Sequence, residues 1–184
     1  MIKRLLELFL LRKSLKNIRL LVIDVDGVLT DGALYISHNG DIQKRFSVKD
    51  GLGIKLLIES GIEIIFLSGG KEGATSARAD QLGIKHCFVN IANKKKKLMK
   101  FQEEHGFTVN ETAYIGDDLN DLVIKSRVNL LISPSDAVGL FLKESNLVLK
   151  NKGGNGVLRE FADILLRIQN KDNIYKKGWF KKND

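Results

Sequence analysis

With 184 residues, 43% of them hydrophobic and only one proline, the chain is long enough for one domain with a single core, and it has no apolar run of the length a membrane-spanning helix needs. Its one cysteine, Cys87, excludes an internal disulfide and fits a reducing, cytoplasmic setting. The net charge of +8 sits at the ends: six Lys/Arg against Glu7 give +5 over residues 1–19, five Lys against Asp172 and Asp184 give +3 over 170–184, and 20–169 holds 19 charges of each sign, a distribution that favours solvated ends over a nucleic-acid groove.

Residues 1–17 mix Leu5, Leu6, Leu8, Phe9, Leu10 and Leu11 with lysine and arginine. That pattern predicts a basic amphipathic helix able to pack on the body, on a partner or on a membrane surface. As a secretory signal the segment fails, because Arg12, Lys13 and Lys16 stand where a small-residue cleavage site belongs. The expected division is an extension over 1–18, a domain over 19–169 and a basic tail over 170–184, the tail carrying Trp179 and Phe180 and either folding over a neighbour's site or remaining disordered.

Leu20-Leu21-Val22-Ile23 is a continuous apolar run, as in a strand covered on both faces in the middle of a parallel sheet. Asp24 and Asp26 follow at its carboxyl end, where open α/β sheets bind their ligands. Carboxylates at i and i+2 of an extended chain share a side and repel, and a hard, oxygen-ligated cation such as Mg2+ relieves that repulsion. A calcium-loop reading fails, because the pattern lacks that motif's third acidic position and its glycine. Gly27 lets the chain leave the strand sharply.

Residues 33–37 and 41–46 then flank His38-Asn39-Gly40, and Asn-Gly between two alternating runs predicts a β-hairpin beside that crevice. Spacing and punctuation next predict helices over 52–61, 71–82, 93–105, 119–126, 136–143 and 156–169, alternating with strands over 62–67, 85–89, 112–115, 128–132 and 146–149. This alternation defines an α/β fold, a doubly wound, Rossmann-like parallel sheet with a projecting hairpin and no large cap domain.

Three further features fall at strand ends. Ser68-Gly69-Gly70 follows the strand at 62–67 and, before a helix, forms a cradle of hydroxyl and amides suited to phosphate. Lys94 opens the helix after the strand at 85–89 and offers the cation that an aspartate attacking phosphate needs, although Lys95, Lys96, Lys97 and Lys100 read as a solvated face. Gly116-Asp117-Asp118-Leu119-Asn120-Asp121 repeats the pattern of the first strand end; helix capping accounts for Asp118 and Asp121 but not for Asp117 as well. His38, His86, His105 and Cys87 have no partners at ligand spacing and read as turn, strand or cap residues.

Taken in this order, D-x-D-G, Ser, Lys and G-D-D-x-x-D resemble the haloacid dehalogenase superfamily of phosphotransferases across residues 19–169. The longer runs Asp24–Gly32, Val48–Ile54 and Gly153–Glu160 resemble its small, capless subgroup, which acts on 3-deoxy-D-manno-octulosonate 8-phosphate and on phosphates of nine-carbon sugar acids. The resemblance implies a Mg2+-dependent phosphatase in lipopolysaccharide biosynthesis that hydrolyses the octulosonate ester through an aspartyl-phosphate, with N-acylneuraminate or ketodeoxynononate 9-phosphate as alternative substrates. It implies Asp24 as nucleophile, Asp26 as acid and base, and Mg2+ held by Asp24, the backbone carbonyl of Asp26, and Asp117. Ser68 and Lys94 then bind the phosphoryl group, and Asp118 and Asp121 serve either as auxiliary ligands or as groups that orient Lys94.

Arg45, Asp50, Gly69 and Arg78 are the candidates for contact with the sugar acid, Arg78 through a two-pronged pairing with a carboxylate. Gly70 departs from the subgroup's pattern, in which octulosonate phosphatases often carry arginine and the sialic-type phosphatases an acidic or other polar residue, and Asn155 replaces a frequent arginine; both bear on which sugar is bound. A homotetramer built through the hairpins is also implied, with Tyr35, Ile36 and Phe46 either buried in it or packed on their own subunit. The rival from another class is a noncatalytic oligomeric module that keeps the fold without turnover.

Overall fold

The computed structural model describes residues 2–175, with side chains from residue 6. Two short helices, α1 (Ile2–Leu10) and α2 (Arg12–Asn17), lead into β1 (Leu20–Ile23). The hairpin β2 (Tyr35–Ile36) and β3 (Ile42–Gln43) follows, then α3 (Val48–Glu59), β4 (Glu63–Leu67), α4 (Ala74–Leu82), β5 (His86–Phe88), α5 (Lys94–His105) and β6 (Thr112–Ile115). A 3₁₀ segment (Leu119–Arg127), β7 (Leu130–Ser133), α6 (Gly139–Glu144), β8 (Leu147–Val148) and α7 (Val157–Ile168) complete the layers.

Among the described residues, six strands form one parallel sheet in the order β5-β4-β1-β6-β7-β8. β1 sits inside it, Val22 facing Ile65 of β4 on one side and Tyr114 of β6 on the other. All four residues of β1 are buried, so an unbroken apolar run is what its place requires. Alternate residues feed two cores: Leu21 and Ile23 join Leu15, Ile54, Leu57, Val157 and Phe161 on the face of α2, α3 and α7, and Leu20 and Val22 join Leu98, Phe101, Ile124 and Phe141 on the other. The chain leaves β1 toward β4 and later returns to its other side at β6, so the crevice opens where the connections diverge.

Several sequence-predicted bounds are corrected. The helix expected to start at Leu52 starts at Val48, because the Ser47 side chain accepts the Asp50 amide as an N-cap. The helix expected from Lys71 begins only at Ala74, after Gly73 at φ 108°. The helix expected over 119–126 is 3₁₀, and its first turn is tied by a capping box between Asp118 and Asp121. The single helix expected over 1–17 is two, and Leu15 of the second is buried against the core while Gln169 Nε2 donates to the Leu15 and Ile18 carbonyls at 3.1 and 2.9 Å. Trp179 and Phe180 lie outside the described residues.

Candidate active site

The carboxyl ends of β1, β4 and β6, with the start of α5, meet at a cleft of about 470 Å³ lined by Asp24, Asp26, Gly27, Ser68, Gly69, Gly70, Lys94, Asp117, Asp118 and Asn120, among others. Each tip is fixed by backbone pairing that continues past the strand. The Asp24 amide donates to the Ile115 carbonyl at 2.9 Å, the Ser68 amide to Phe88 at 2.8 Å, and the Gly116 amide to Ile132 at 3.1 Å. Gly27 adopts φ 81°, and a Cβ there would overlap the Asp117 carboxylate, so only glycine lets the first loop pass so close to the β6 tip.

Lys94 is the one lysine of its run that turns fully inward, 3% exposed. The Asn93 side chain, accepting the Lys96 amide, starts α5 so that its first residue faces the sheet. Its ammonium donates to Asp24 Oδ1 at 2.8 Å, to Asp121 Oδ1 at 2.6 Å and to the Tyr114 hydroxyl at 3.3 Å. Asp121 is fully buried and fully engaged: Oδ1 also accepts from the Tyr114 hydroxyl at 2.5 Å, and Oδ2 accepts the Asp117 amide at 3.0 Å. Asp118 accepts the Leu119 amide at 2.6 Å as the cap of the 3₁₀ segment.

Asp24, Asp117 and Asp121 each offer an oxygen within 4.8 Å of the other two, the geometry of a group able to share an ion. Burial, then the charge of Asp121, pushes Asp24 up to about 7 against the pull of Lys94. Burial, followed by Asp24 and Asp121, pushes Asp117 up to about 8. Three close carboxylates beside one ammonium are under-compensated, and an all-oxygen set of this kind suits Mg2+. On this chemistry the residues present fit that ion.

The substrate-binding candidates divide. Gly69 lines the cleft. Asp50 does not: it is buried, and its two oxygens accept the Gly156 and Arg159 amides at 3.0 Å each, clamping α3 to the start of α7. Arg78 is also occupied away from the cleft, with Nη2 donating to the Ser47 carbonyl at 3.1 Å, Nη1 to Gln81 at 2.6 Å, and its guanidinium over the Phe46 ring. Arg45 points outward and pairs with Asp31 at 3.0 Å. For Asp50, Arg45 and Arg78 the single chain therefore shows structural partners where substrate contacts were expected.

Three side chains at the site escaped sequence reasoning. Lys44 Nζ donates to Asp26 Oδ2 at 2.9 Å and lies 2.8 Å from Oδ1. Period-two alternation beyond β3 was the available signal, since Ile42, Lys44 and Phe46 face inward and Gln43 and Arg45 outward. Thr30 accepts the Gly27 and Gly32 amides at 3.3 and 3.2 Å, pinning the first loop. Tyr114 was hidden within an apolar strand, where an aromatic reads as packing.

No family model matches the chain. Over 156 residues it is 38% identical to the 3-deoxy-D-manno-octulosonate 8-phosphate phosphatase of Escherichia coli K12, covering 85% of this chain and 83% of that protein. A Legionella pneumophila structure described as a haloacid dehalogenase superfamily (subfamily III A) hydrolase superposes with a TM-score of 0.92 at 35% identity, covering 98% of this chain and 100% of that one. The Moraxella catarrhalis 3-deoxy-D-manno-octulosonate 8-phosphate phosphatase, solved with magnesium, phosphate and the sugar acid, superposes with a TM-score of 0.87 at 32% identity over 91% of this chain and 97% of its own.

Proposed function

The chain belongs to the haloacid dehalogenase superfamily, among its 3-deoxy-D-manno-octulosonate 8-phosphate phosphatases, and from that premise we propose that it hydrolyses this ester to the free sugar acid and phosphate with Mg2+ as cofactor. The observation that carries the reading is the Lys94 ammonium, 2.8 Å from Asp24 and 2.6 Å from Asp121, at the point where the β1 and β6 tips converge. A buried lysine held between two aspartates, with a third aspartate and a hydroxyl-glycine cradle in the same cleft, is an arrangement for binding a phosphoryl group beside a carboxylate.

Asp24 is the acceptor. As one of its oxygens bonds to phosphorus, the bond from phosphorus to the sugar oxygen breaks and Asp26 gives that oxygen a proton. Water then attacks phosphorus, Asp26 takes the proton released, and the bond to Asp24 breaks to free phosphate. Lys94, Ser68 and the amides after it hold the phosphoryl oxygens, while Asp121 and Tyr114 keep Lys94 aimed. Asp24, the Asp26 carbonyl and Asp117 would hold Mg2+, whose charge offsets that of the phosphoryl oxygens.

The relatives' substrate favours the octulosonate ester over N-acylneuraminate or ketodeoxynononate 9-phosphate. The complete set of reactive groups disfavours a noncatalytic module. The reading includes a cytoplasmic homotetramer acting in lipopolysaccharide biosynthesis; the hairpin supports the assembly, since Tyr35 and Ile36 are 55% and 66% exposed on a two-stranded sheet too small to be stable alone. Among the described residues no helix is long and apolar enough to cross a membrane.

Phosphate release from a panel of these sugar-acid phosphates, with and without Mg2+, tests the reading. Turnover on the octulosonate ester that requires Mg2+ supports it, and release from none of the panel refutes it.

A further inference from the structure

The hairpin sends one residue back to the rim of the cleft, into a smaller adjoining pocket that Asp26 and Gly70 also line. Lys44 follows β3, on a segment whose neighbours Gln43 and Arg45 are exposed, yet its own side chain is only 5% exposed. Its ammonium meets two groups from different parts of the chain. It donates to Asp26 Oδ2 at 2.9 Å, lies 2.8 Å from Asp26 Oδ1, and donates to the Thr75 hydroxyl at 3.2 Å in the first turn of α4.

Gly70 keeps the space for this contact. A Cβ there would stand 2.9 Å from Asp26 Oδ2, 3.2 Å from Ser68 Oγ and 3.3 Å from Lys44 Nζ. The carboxylate, the hydroxyl and the ammonium thus converge on a gap of about one methyl group, beside the smaller pocket lined by Asp26, Lys44 and Gly70 but not by Lys94. The two lysines divide the work by position: Lys94 touches Asp24, where the bond to phosphorus forms, and Lys44 touches Asp26, where the sugar oxygen departs.

We propose that Lys44 is a positioning residue for leaving-group departure, fixing the Asp26 carboxyl against the Ser68-Gly69-Gly70 loop so that it faces the sugar oxygen. The inference rests on the phosphatase reading and adds a residue to it. The step it assists is the first half-reaction, in which the Asp24 oxygen bonds to phosphorus, the phosphorus to sugar-oxygen bond breaks, and the proton passes from Asp26 to that oxygen. Holding both oxygens of a carboxyl with one ammonium, itself anchored on the Thr75 hydroxyl of α4, costs side-chain entropy in a long lysine, which a purely solubilising residue would not spend.

The test compares two leaving groups in the full-length protein with Mg2+. A sugar alcohol needs a proton to depart; p-nitrophenolate departs without one. Lys44→Met is expected to lower kcat on 3-deoxy-D-manno-octulosonate 8-phosphate by about tenfold to a hundredfold more than on p-nitrophenyl phosphate, with KM changed much less than kcat. Lys44→Arg, which keeps a cation within reach of Asp26, is expected to restore most of that difference. Gly70→Ala perturbs the same contact from the opposite side without altering charge, and is expected to show the same leaving-group bias. Thermal melting of each variant separates this from loss of the fold. Equal losses on both esters, or no loss on the sugar ester in folded Lys44→Met, would overturn the role of Lys44 while leaving the phosphatase reading intact. Wild-type protein that releases phosphate from neither ester would remove both.

Discussion

Asp24 is placed where burial and a neighbouring carboxylate work against its ionisation and one lysine works for it. Replacing it with asparagine keeps the size and hydrogen-bonding reach of the side chain but removes the nucleophile, so Asp24→Asn is expected to fold, to melt within a few degrees of wild type, and to release no measurable phosphate; turnover near wild type would contradict its role. The same electrostatics give a pH signature. Folded values raised to about 7 for Asp24 and about 8 for Asp117, against 3.8 for an ordinary aspartate, mean that the folded protein holds protons which the unfolded chain has already released. Their contribution to stability is therefore present below about pH 4 and is lost as the pH rises through 7 to 8. Without metal, the melting temperature is expected to fall between pH 6 and 8 relative to an Asp117→Asn variant, and added Mg2+ is expected to restore it most at pH 8, where binding has fewest protons to displace. A melting temperature that rises over that range in metal-free protein, relative to the same variant, would contradict this balance.

At the scale of elements, the clamp between α3 and α7 accounts for Asp50, expected at the substrate, and for a glycine inside a helix. Gly53 approaches the α7 backbone so closely that a Cβ would stand 2.9 Å from Arg159 Cα, and Asp50 closes the same junction through two amides. Glycine inside a helix lowers its intrinsic propensity, a penalty that this close tertiary contact offsets. Asp50→Ala leaves the buried Gly156 amide and the part-buried Arg159 amide without acceptors and is expected to cost about 2–4 kcal/mol in urea unfolding, with the KM of the folded fraction little changed. A large KM effect with unchanged stability would return Asp50 to the substrate. The strand tips, by contrast, were legible because each joins an apolar run to a chemically distinctive cluster. Asp24, Asp117, Ser68 and Lys94 could be named from that pattern and are brought together by the fold. Sequence reasoning names Arg45 for the substrate and does not consider Lys44, although the alternation that places Ile42 and Phe46 inward places Lys44 beside them. Arg78 was read as a free fork, and only its packing on Phe46 and the Ser47 carbonyl shows how it is occupied.

For the whole molecule, sheet order decides where chemistry can occur. Because β1 is interior and the chain crosses over it to reach β6, the carboxylates of two strands separated by half of the sequence are neighbours at the carboxyl edge of the sheet. The hairpin rises from the same edge with Leu34, Tyr35 and Ile36 exposed. Tyr35→Asp combined with Ile36→Asp is expected to reduce the proposed homotetramer to monomers in light scattering; a wild-type protein that is monomeric at micromolar concentration would contradict assembly through this surface. The extension at the amino end is anchored independently, through Leu15 in the core and the Gln169 side chain on the Leu15 and Ile18 carbonyls. The central claim, that this fold presents Asp24 to accept a phosphoryl group, is tested most directly by trapping that acyl phosphate. Turnover of 3-deoxy-D-manno-octulosonate 8-phosphate with Mg2+ is quenched in acid, reduced with borohydride and mapped by peptide mass spectrometry. The account predicts reduction of the side chain of Asp24 and of no other aspartate; phosphate release with Asp24 unmodified, or with the label on another carboxylate, would contradict it.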